Sequence, residues 1–192
     1  MELLPLTAGE VASVTGGRLI EGDAQQAIGR VSIDSRTVGA GDLFVAIRGE
    51  RFDGHQFVTD AVAKGAAGAL VTGAPAVLPA GEGRPAPVLI QVEDTTRALQ
   101  DVARHVRRRS GAKVVAITGS AGKTTTKEVA AEFLAARYTV FRNKGNLNNH
   151  IGLPLSLMEL RARPDIAVVE LGMNHPGEIR TLVGIAEPDV RV

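Results

Sequence analysis

The chain has 192 residues, no cysteine, a formal net charge of +1 and 44% apolar residues, which is typical of a soluble globular protein of one large or two small domains. The lack of cysteine excludes disulfides, thiol catalysis and cysteine-ligated metals, and the small charge with 3% aromatic residues argues against nucleic-acid binding. No stretch is long and apolar enough for a transmembrane helix, and the first residues lack a secretion signal, so we expect a cytoplasmic protein.

The first part of the chain alternates helical patterns with short apolar runs. A capping box at residues 7–10 begins a helix that Gly16 ends. Strands are expected at residues 31–33, 42–47 and 69–71, and a further helix at residues 55–64. Residues 73–87 are crowded with proline and glycine, which break regular elements. We therefore place a domain boundary at their end, between a first domain of residues 1–86 and a second of residues 87–192.

The second part continues the alternation, which favours an α/β architecture for both domains. Strands are expected at residues 88–92, 114–117, 138–141, 166–171 and 190–192, and helices at residues 94–109, 125–136, 151–160 and 175–186. The last helix includes Pro176 near its start, where proline is tolerated. A nucleotide-binding sheet of this class usually has more strands, so we expect an incomplete second domain and a chain that is a fragment of a longer protein.

A basic cluster lies near the end of the helix expected at residues 94–109. It consists of Arg104, Arg107, Arg108 and Arg109. Positive side chains stabilise the C-terminal end of a helix through the helix dipole. We prefer this structural interpretation of the cluster to nucleic-acid binding.

Residues 117–124 read Ile-Thr-Gly-Ser-Ala-Gly-Lys-Thr and lie between an apolar strand and a helical pattern. Glycines let backbone N–H groups approach an anion, and the helix N-terminus adds a favourable dipole. Lys123 supplies a charge for the phosphates, and the Thr124 hydroxyl suits Mg²⁺. The full eight-residue phosphate-loop pattern asks for glycine where Ile117 stands, so the assignment depends on the strand before the loop and the helix after it. The segment predicts binding of a nucleoside triphosphate.

Glu170 lies at the end of the apolar strand expected at residues 166–171. Ligands of open α/β sheets bind outside the carboxyl ends of the strands, where the phosphate loop also lies. A carboxylate at that edge can hold Mg²⁺ and join it to phosphate oxygens. We therefore expect Glu170 to serve the nucleotide site rather than to be an ordinary polar residue at a strand end.

Two other groups of polar residues are less specific. The asparagines of the polar loop could hold substrate oxygens or could simply form turns; they are Asn143, Asn146, Asn148 and Asn149. In the first domain, residues 34–36 and 52–55 offer a hydroxyl, a guanidinium, a phenyl face and an imidazole, which suit a base, a ribose and a diphosphate. Without further context, a surface charge at Arg36 and a helix start at His55 are the simpler interpretations.

Together these segments resemble the Mur ligases, a family of ATP-dependent amide-forming enzymes of peptidoglycan assembly. The resemblance rests on residues 34–36, 41–46, 52–55, 118–126 and 143–149, and it covers nearly the whole chain. Two further segments are similar to the branch of the family that adds D-alanyl-D-alanine. They are the Asn-x-Asn-Asn loop followed by Ile-Gly-Leu-Pro-Leu at residues 151–155, and the run Glu-Leu-Gly-Met-Asn-His-Pro-Gly-Glu-Ile at residues 170–179.

The resemblance implies a small N-terminal α/β domain that binds the UDP-substrate, followed by an incomplete P-loop α/β domain that binds ATP. It implies a cytoplasmic, monomeric enzyme that uses ATP and Mg²⁺ to join D-alanyl-D-alanine to UDP-N-acetylmuramoyl-tripeptide through an acyl phosphate. Those two molecules would be its substrates in peptidoglycan precursor synthesis, with no nucleic acid and no membrane insertion.

The resemblance also implies roles for individual residues. ATP would be bound by Gly119, Ser120, Ala121, Gly122, Lys123, Thr124 and Thr125, and Mg²⁺ would be held by Thr124 and Glu170. The UDP part would contact Ser35, Arg36, Phe52, Asp53, Gly54 and His55. Asn148 and Asn149 would line the junction of substrate and phosphate, and Lys123, Glu170 and Asn149 would be the catalytic residues.

The family also has a third, C-terminal domain. Late in its central domain it has a histidine and often a carbamylated lysine that serve a second Mg²⁺, and none of these lies within the 192 residues. We therefore expect this chain to bind substrates without catalysing the complete reaction. Two alternatives remain open, namely the branch of the family that adds the diamino acid and a catalytically silent nucleotide-binding module.

Overall fold

The computed structural model describes residues 3–49, 52–73, 78 and 85–192. These residues form two compact units. The N-terminal unit is Pro5–Leu99, and the C-terminal unit is Gln100–Val192 together with Leu3 and Leu4. Each unit contains a largely parallel sheet with helices, which confirms the predicted α/β class. Among the described helices, none combines the length and the apolar character that a membrane crossing needs.

The N-terminal unit is built on a five-stranded sheet. Its strands are β1 (Arg18–Glu21), β2 (Val31–Ser32), β3 (Leu43–Val45), β4 (Gly68–Val71) and β5 (Val88–Gln91), in the spatial order β1-β5-β4-β3-β2. Its helices are α1 (Ala8–Thr15), a 3₁₀ helix (Gly54–Phe57) that leads into α2 (Val58–Ala63), and the start of α3 (Thr95–Ser110). Strands β2 to β5 pair in parallel, whereas β1 pairs antiparallel with β5.

Helix α1 begins where the capping box predicts. Thr7 Oγ1 accepts a hydrogen bond from Glu10 N (3.2 Å), and Glu10 Oε2 accepts one from Thr7 N (2.9 Å). The helix ends at Gly16, whose left-handed backbone (φ 62°) carries no steric penalty in glycine. The side chains of Phe44 and Leu70 are buried, as expected for the central strands of a parallel sheet.

The division into units differs from the domain boundary predicted after residue 86. Strand β5 follows the proline- and glycine-rich stretch, but it pairs with β4 and β1 and so belongs to the first sheet. The two backbones approach closely, because a Cβ atom on Gly68 would lie 2.0 Å from the carbonyl oxygen of Val88. Strand β1 is an addition to the expected strands. Of the predicted linker at residues 73–87, residues 74–77 and 79–84 lie outside the described residues.

The C-terminal unit is built on a four-stranded parallel sheet. Its strands are β6 (Lys113–Ile117), β7 (Val140–Arg142), β8 (Ile166–Glu170) and β9 (Val190–Arg191), in the spatial order β7-β8-β6-β9. Its helices are the rest of α3, α4 (Lys123–Ala135), α5 (Gly152–Leu157) with a 3₁₀ helix (Met158–Ala162) after it, and α6 (Glu178–Ala186). Because the strands are parallel, the loops that follow them open at one edge of the sheet.

The helices of the second half match the expected ones with small shifts. Asp94 caps α3 as predicted, since its Oδ1 accepts hydrogen bonds from two backbone N–H groups of the first turn (2.7 and 3.0 Å). The helix expected at residues 175–186 begins only at Glu178, because Gly177 before it has a left-handed backbone (φ 95°). Pro176 therefore lies ahead of the helix and not within it.

The arginines at the end of α3 bind the end of α6. Arg107 donates from Nε to Ala186 O (2.9 Å) and from Nη2 to Glu187 O (2.8 Å), and Arg108 donates from Nε to Glu187 Oε2 (2.9 Å). The last carbonyl groups of a helix have no partner within the helix, so these bonds satisfy them. The contacts support the structural interpretation of the basic cluster.

Candidate nucleotide-binding site

The glycine-rich loop connects the end of β6 to the start of α4. Gly119 and Gly122 have positive φ angles of 147° and 76°, which glycine adopts without steric penalty. Gly122 is the residue that precedes the first turn of α4, and it has no side chain to cap that turn. The first N–H groups of α4 are therefore left for an external acceptor, and the helix dipole favours an anionic one.

Lys123 begins α4 and bends back over the loop. Its Nζ donates a hydrogen bond to Gly119 O (2.9 Å), so the ammonium group lies beside the backbone that would surround a phosphate. Ser120, Ala121 and Thr125 are exposed at the same loop and helix start. The structure thus places all the residues predicted for nucleotide binding in one continuous segment at the sheet edge.

Glu170 is a buried carboxylate at the end of the neighbouring strand. It is 4% exposed and lies opposite Ile117 in the parallel pairing of β6 with β8. Its Oε2 accepts a hydrogen bond from Thr124 Oγ1 (2.7 Å), and its Oε1 accepts one from Asn148 Nδ2 (2.9 Å). Three residues that are far apart in the sequence therefore meet beside the loop.

This oxygen-rich cluster fits a magnesium ion. Mg²⁺ prefers hard oxygen ligands, and it is usually held by one or two protein groups together with phosphate oxygens and water. The Thr124 hydroxyl and the Glu170 carboxylate already lie 2.7 Å apart at the phosphate loop. These two residues are the ones that could hold the ion of a magnesium–nucleotide complex.

The polar loop of residues 143–149, called the asparagine loop below, packs against the end of β8 through Asn143. Asn143 is buried, with 1% of its surface exposed. Its Oδ1 accepts a hydrogen bond from Glu170 N (2.9 Å), and its Nδ2 donates one to Leu147 O (2.9 Å). Later in the loop, Asn148 accepts a hydrogen bond at its carbonyl oxygen from Gly172 N (2.9 Å). Of the two interpretations of the asparagines, turn formation applies to Asn143, and Asn148 reaches the site.

Asn149 has a different environment from its neighbour. Its Oδ1 accepts hydrogen bonds from Ile151 N (3.1 Å) and Gly152 N (2.8 Å), at the start of α5. Such bonds satisfy N–H groups that have no partner within a helix. The structure thus engages the side-chain oxygen of Asn149 in capping, and its expected part in catalysis stays a prediction.

In the N-terminal unit, the predicted segment after β2 is held by an ion pair. Arg36 donates from Nε to Asp34 Oδ1 (2.9 Å) and from Nη2 to Asp34 Oδ2 (2.7 Å). These side-chain bonds are the main cause that lowers the pKa of Asp34 to about 2. The Ser35 carbonyl oxygen accepts a hydrogen bond from Lys64 Nζ (2.7 Å). The Arg36 side chain is 86% exposed, so its guanidinium remains accessible.

The second predicted segment of this unit is held by Asp53 and His55. Asp53 Oδ1 accepts hydrogen bonds from His55 N (3.0 Å) and from the His55 ring at Nδ1 (2.6 Å), and Oδ2 accepts two from Arg48 (2.9 and 3.0 Å). The bond from the backbone N–H of His55 is the main cause that lowers the pKa of Asp53 to about 2. His55 Nε2 accepts a hydrogen bond from Thr72 N (3.0 Å) at the end of β4.

These bonds fix the tautomer of the His55 ring and the role of the ring in this structure. Because Thr72 N–H donates to Nε2, the ring proton lies on Nδ1 and is directed to Asp53. Both ring nitrogens therefore bind protein groups, and His55 connects the loop after β3 to the end of β4. The described geometry engages the polar atoms of the His55 side chain within the unit, and the predicted substrate contact of His55 stays a prediction.

Phe52 and Gly54 differ from the two residues beside them. Phe52 is 72% exposed, so its phenyl face is free to stack on a flat ring. A Cβ atom on Gly54 would lie 2.7 Å from Ile47 O, so glycine allows this turn to pack against the end of β3. Residues 34–36 and 52–55 follow neighbouring parallel strands and lie along one sheet edge, although the described contacts do not join them.

Sequence reasoning missed several residues that support these groups. Arg48 and Thr72 each follow the end of a parallel strand, so the rule that ligands bind at this edge could have singled them out. Lys127 could have been noticed as a lysine one helical turn after Lys123, on the same face of the predicted helix.

Family models match both parts of the chain. Residues 27–107 match the Mur ligase family catalytic domain, and residues 117–192 match the Mur ligase middle domain. The chain belongs to the Mur ligase family. This Mur ligase chain is 43% identical over 183 residues to the UDP-N-acetylmuramoyl-tripeptide–D-alanyl-D-alanine ligase of Treponema pallidum, and 40% identical over 187 residues to that of Escherichia coli. The matches cover 92% and 97% of the chain and 39% of each relative.

Solved structures of Mur ligases share this fold. The UDP-N-acetylmuramoylalanyl-D-glutamyl-2,6-diaminopimelate–D-alanyl-D-alanyl ligase of Acinetobacter baumannii matches with a TM-score of 0.89 at 38% identity, over 100% of this chain and 42% of that protein. The MurF ligase of Thermotoga maritima in complex with ADP matches with a TM-score of 0.72 at 36% identity, over 83% of this chain and 36% of that protein. The chain thus spans 34–41% of the length of the curated relatives that it matches.

Proposed function

We propose that this Mur ligase chain binds ATP and Mg²⁺ at the glycine-rich loop and UDP-N-acetylmuramoyl-tripeptide at the strand ends of its N-terminal unit. It would serve a cytoplasmic, monomeric ligase that joins D-alanyl-D-alanine to the tripeptide. The observation that carries the proposal is the bond of Thr124 to the buried Glu170 (2.7 Å) beside the loop. The activity named for relatives of 35–43% identity supports the choice of substrates, whereas a diaminopimelate ligase is only 16% identical.

The proposed reaction forms an amide at the expense of ATP. A carboxylate oxygen of the tripeptide attacks the γ-phosphorus of ATP, the bond to the bridging oxygen breaks, and an acyl phosphate and ADP result. The amine of D-alanyl-D-alanine then attacks the acyl carbon, loses a proton and expels inorganic phosphate. The first step brings two anions together, so the main task of the protein is to neutralise charge and hold the groups in line.

The residues at the glycine-rich loop are suited to this task. The N–H groups at the start of α4 would bind phosphate oxygens, and Lys123 would exchange its bond to Gly119 O for one to a phosphate. When bound, Mg²⁺ supplies further positive charge to the phosphates, and Thr124 and Glu170 are the residues that would hold it. Asn148 would keep the carboxylate of Glu170 oriented through its bond to Oε1.

The strand ends of the N-terminal unit would bind the UDP part. The exposed phenyl face of Phe52 would stack on the base, and the guanidinium of Arg36 would bind the diphosphate. Asp53 and His55 would support this surface from within, because their polar atoms are engaged with Arg48 and Thr72. We expect the chain to bind both ligands without turnover.

Calorimetric titration of this chain with Mg-ATP and with UDP-N-acetylmuramoyl-tripeptide, separately, tests the proposal. Lys123→Ala should weaken Mg-ATP binding by about tenfold to a hundredfold, because a hydrogen bond to a charged group contributes about 1.5–3 kcal/mol. Arg137→Ala is the matched control, since it removes a positive charge just beyond the other end of the 13-residue helix α4, about 20 Å away.

The second arm of the experiment uses Arg36→Ala. It should weaken binding of the UDP-compound at least tenfold, because a hydrogen bond to a charged group contributes about 1.5–3 kcal/mol. It should leave Mg-ATP binding unchanged, because the two sites lie in different units. If the chain bound Mg-ATP but not the UDP-compound, the substrate assignment would fall and a nucleotide-binding module would remain. Turnover of ATP that depends on both substrates would contradict the expectation that this chain binds without catalysis.

A further inference from the structure

Lys127 is a buried lysine in the first half of α4. It is 1% exposed, although lysine is almost never fully buried without a partner. Its Nζ donates a hydrogen bond to Asn143 O (2.7 Å) and forms an ion pair with Glu128 Oε1 (3.0 Å). Since Lys123 already supplies the charge at the loop, the nucleotide site as described above makes no use of Lys127.

The carbonyl group that Lys127 holds belongs to the residue that organises the asparagine loop. Asn143 lies directly after β7, and its side chain binds Glu170 N (2.9 Å) and Leu147 O (2.9 Å). Fixing Leu147 O fixes the start of the peptide that leads to Asn148. Lys127 therefore connects helix α4 to the backbone of Asn143, whose side chain contacts both β8 and the asparagine loop.

Two routes lead from Asn143 to the carboxylate of Glu170. One is the backbone of Glu170 itself, which Asn143 Oδ1 holds at the end of β8. The other runs through Leu147 to Asn148, whose Nδ2 donates to Glu170 Oε1 (2.9 Å). The opposite carboxylate oxygen accepts from Thr124, which lies on the same helix as Lys127. The network therefore closes on itself around Glu170.

We propose that Lys127 is a positioning residue for the Mg²⁺-binding carboxylate of Glu170, which it orients through Asn143 and Asn148. The proposal rests on the proposed function, because it assigns a role in the same magnesium–nucleotide site. A buried ammonium group is costly to keep out of water unless it is paired, so a lysine held only for packing would be poorly suited to this position. The fixed geometry of a metal ligand gives its retention a reason.

The experiment measures how strongly Mg²⁺ and ATP favour each other's binding. The dissociation constant of ATP is measured by calorimetry on this chain, once with excess Mg²⁺ and once with EDTA, and the ratio of the two is the coupling. Lys127→Met should reduce this ratio at least tenfold while the constant in EDTA changes less than twofold. A residue that only stabilises the unit would lower both affinities together or neither.

The control and a second variant keep the result interpretable. Glu132→Gln removes an exposed charge of the same helix, paired with Arg142 (2.6 Å), and should leave the coupling unchanged. Asn143→Asp keeps the shape and the acceptor for Glu170 N but loses the donor to Leu147 O, so it should reduce the coupling as well. If circular dichroism shows that Lys127→Met does not fold, Asn143→Asp replaces it as the variant that tests the proposal.

The outcomes separate this inference from the proposed function. If wild-type chain shows no binding of Mg-ATP, both fall. If wild-type chain binds Mg-ATP and the folded variants at positions 127 and 143 keep its coupling, the positioning role is wrong and the nucleotide site stands. An equal loss of affinity with Mg²⁺ and with EDTA would also overturn the positioning role.

Discussion

The strand ends of the two units hold their polar side chains in different ways. In the C-terminal unit, Glu170 is 4% exposed and binds side chains from a helix and from a loop that are distant in sequence. In the N-terminal unit, the carboxylates of Asp34 and Asp53 are paired with arginines a few residues away, in loops that face solvent. One edge is built around a single buried group, and the other is a surface held in shape by local ion pairs.

This difference teaches how each edge should respond to change. A buried carboxylate with several partners is sensitive to any alteration, because its partners lose their bonds at the same time. Exposed ion pairs contribute little individually, since water and salt screen them. Substitutions at the strand ends of the C-terminal unit should therefore strongly weaken the binding of one ligand, the magnesium nucleotide. Loss of an ion pair at the strand ends of the N-terminal unit should change the stability of the fold only slightly.

The largest expected effect is that of Glu170→Gln. It keeps the shape and an acceptor for Thr124 but removes the negative charge that would hold Mg²⁺. Mg-ATP binding should weaken about a hundredfold, or about 2.7 kcal/mol, in calorimetry, while binding of the UDP-compound stays unchanged. Glu159→Gln, on an exposed part of the same unit, is the control. Unchanged Mg-ATP affinity would remove the buried carboxylate from the site.

An intermediate effect is expected from Gly122→Ala at the glycine-rich loop. A Cβ atom there meets nothing within 4 Å, so its cost is the left-handed backbone (φ 76°) alone, about 1–2 kcal/mol. The melting temperature of the variant should fall. Gly184→Ala, inside α6 with equally open space, should instead raise it, because alanine stabilises a helix interior by about 0.5–1 kcal/mol relative to glycine. Equal behaviour of the two variants would show that the loop backbone does not require glycine.

The smallest effect is the acid response of the N-terminal edge. The pKa values of Asp34 and Asp53 are lowered from 3.8 to about 2, so the folded chain holds their negative charge more strongly than the unfolded chain does. The stability that they contribute is present above about pH 4 and is lost as the pH falls towards 2. The melting temperature of wild type should fall through this window more than that of the double variant Asp34→Asn/Asp53→Asn.

A control for the acid titration is Asp60→Asn, which removes an exposed carboxylate of α2 in the same unit. It should follow the wild-type curve. If the double variant followed that curve too, the local ion pairs would not contribute to the stability of this edge.

The parts of the site that local sequence describes were predictable. The glycine-rich loop combines a strand, a turn and a helix within a few residues, so its conformation depends on neighbours in the chain. Glu170 follows from the rule that the ends of parallel strands share an edge, and the structure places it opposite Ile117. The capping box at residues 7–10 and the helix end at Gly16 are local signals of the same kind.

The parts that depend on distant pairing were not predictable. Strand β1 reads Arg-Leu-Ile-Glu, a short run with charged ends, and it becomes a strand only because β5 lies beside it. For the same reason proline and glycine before Val88 indicated a domain boundary, although the strand that follows completes the first sheet. His55 needed knowledge of Thr72, and the contrast between Asn148 and Asn149 depends on which way two successive amides point.

The pairing of Ile117 with Glu170 has a consequence for how such a site can vary. Hydrogen-bonded strands lie about 4.8 Å apart, so the backbone ladder itself sets the distance from the loop to the carboxylate. Insertion or deletion of one residue within β8 would turn Glu170 to the opposite face of the sheet. Changes of length are therefore tolerable in the connecting loops but not within β6 and β8, because the register of these two strands sets the distance between the glycine-rich loop and the Glu170 carboxylate.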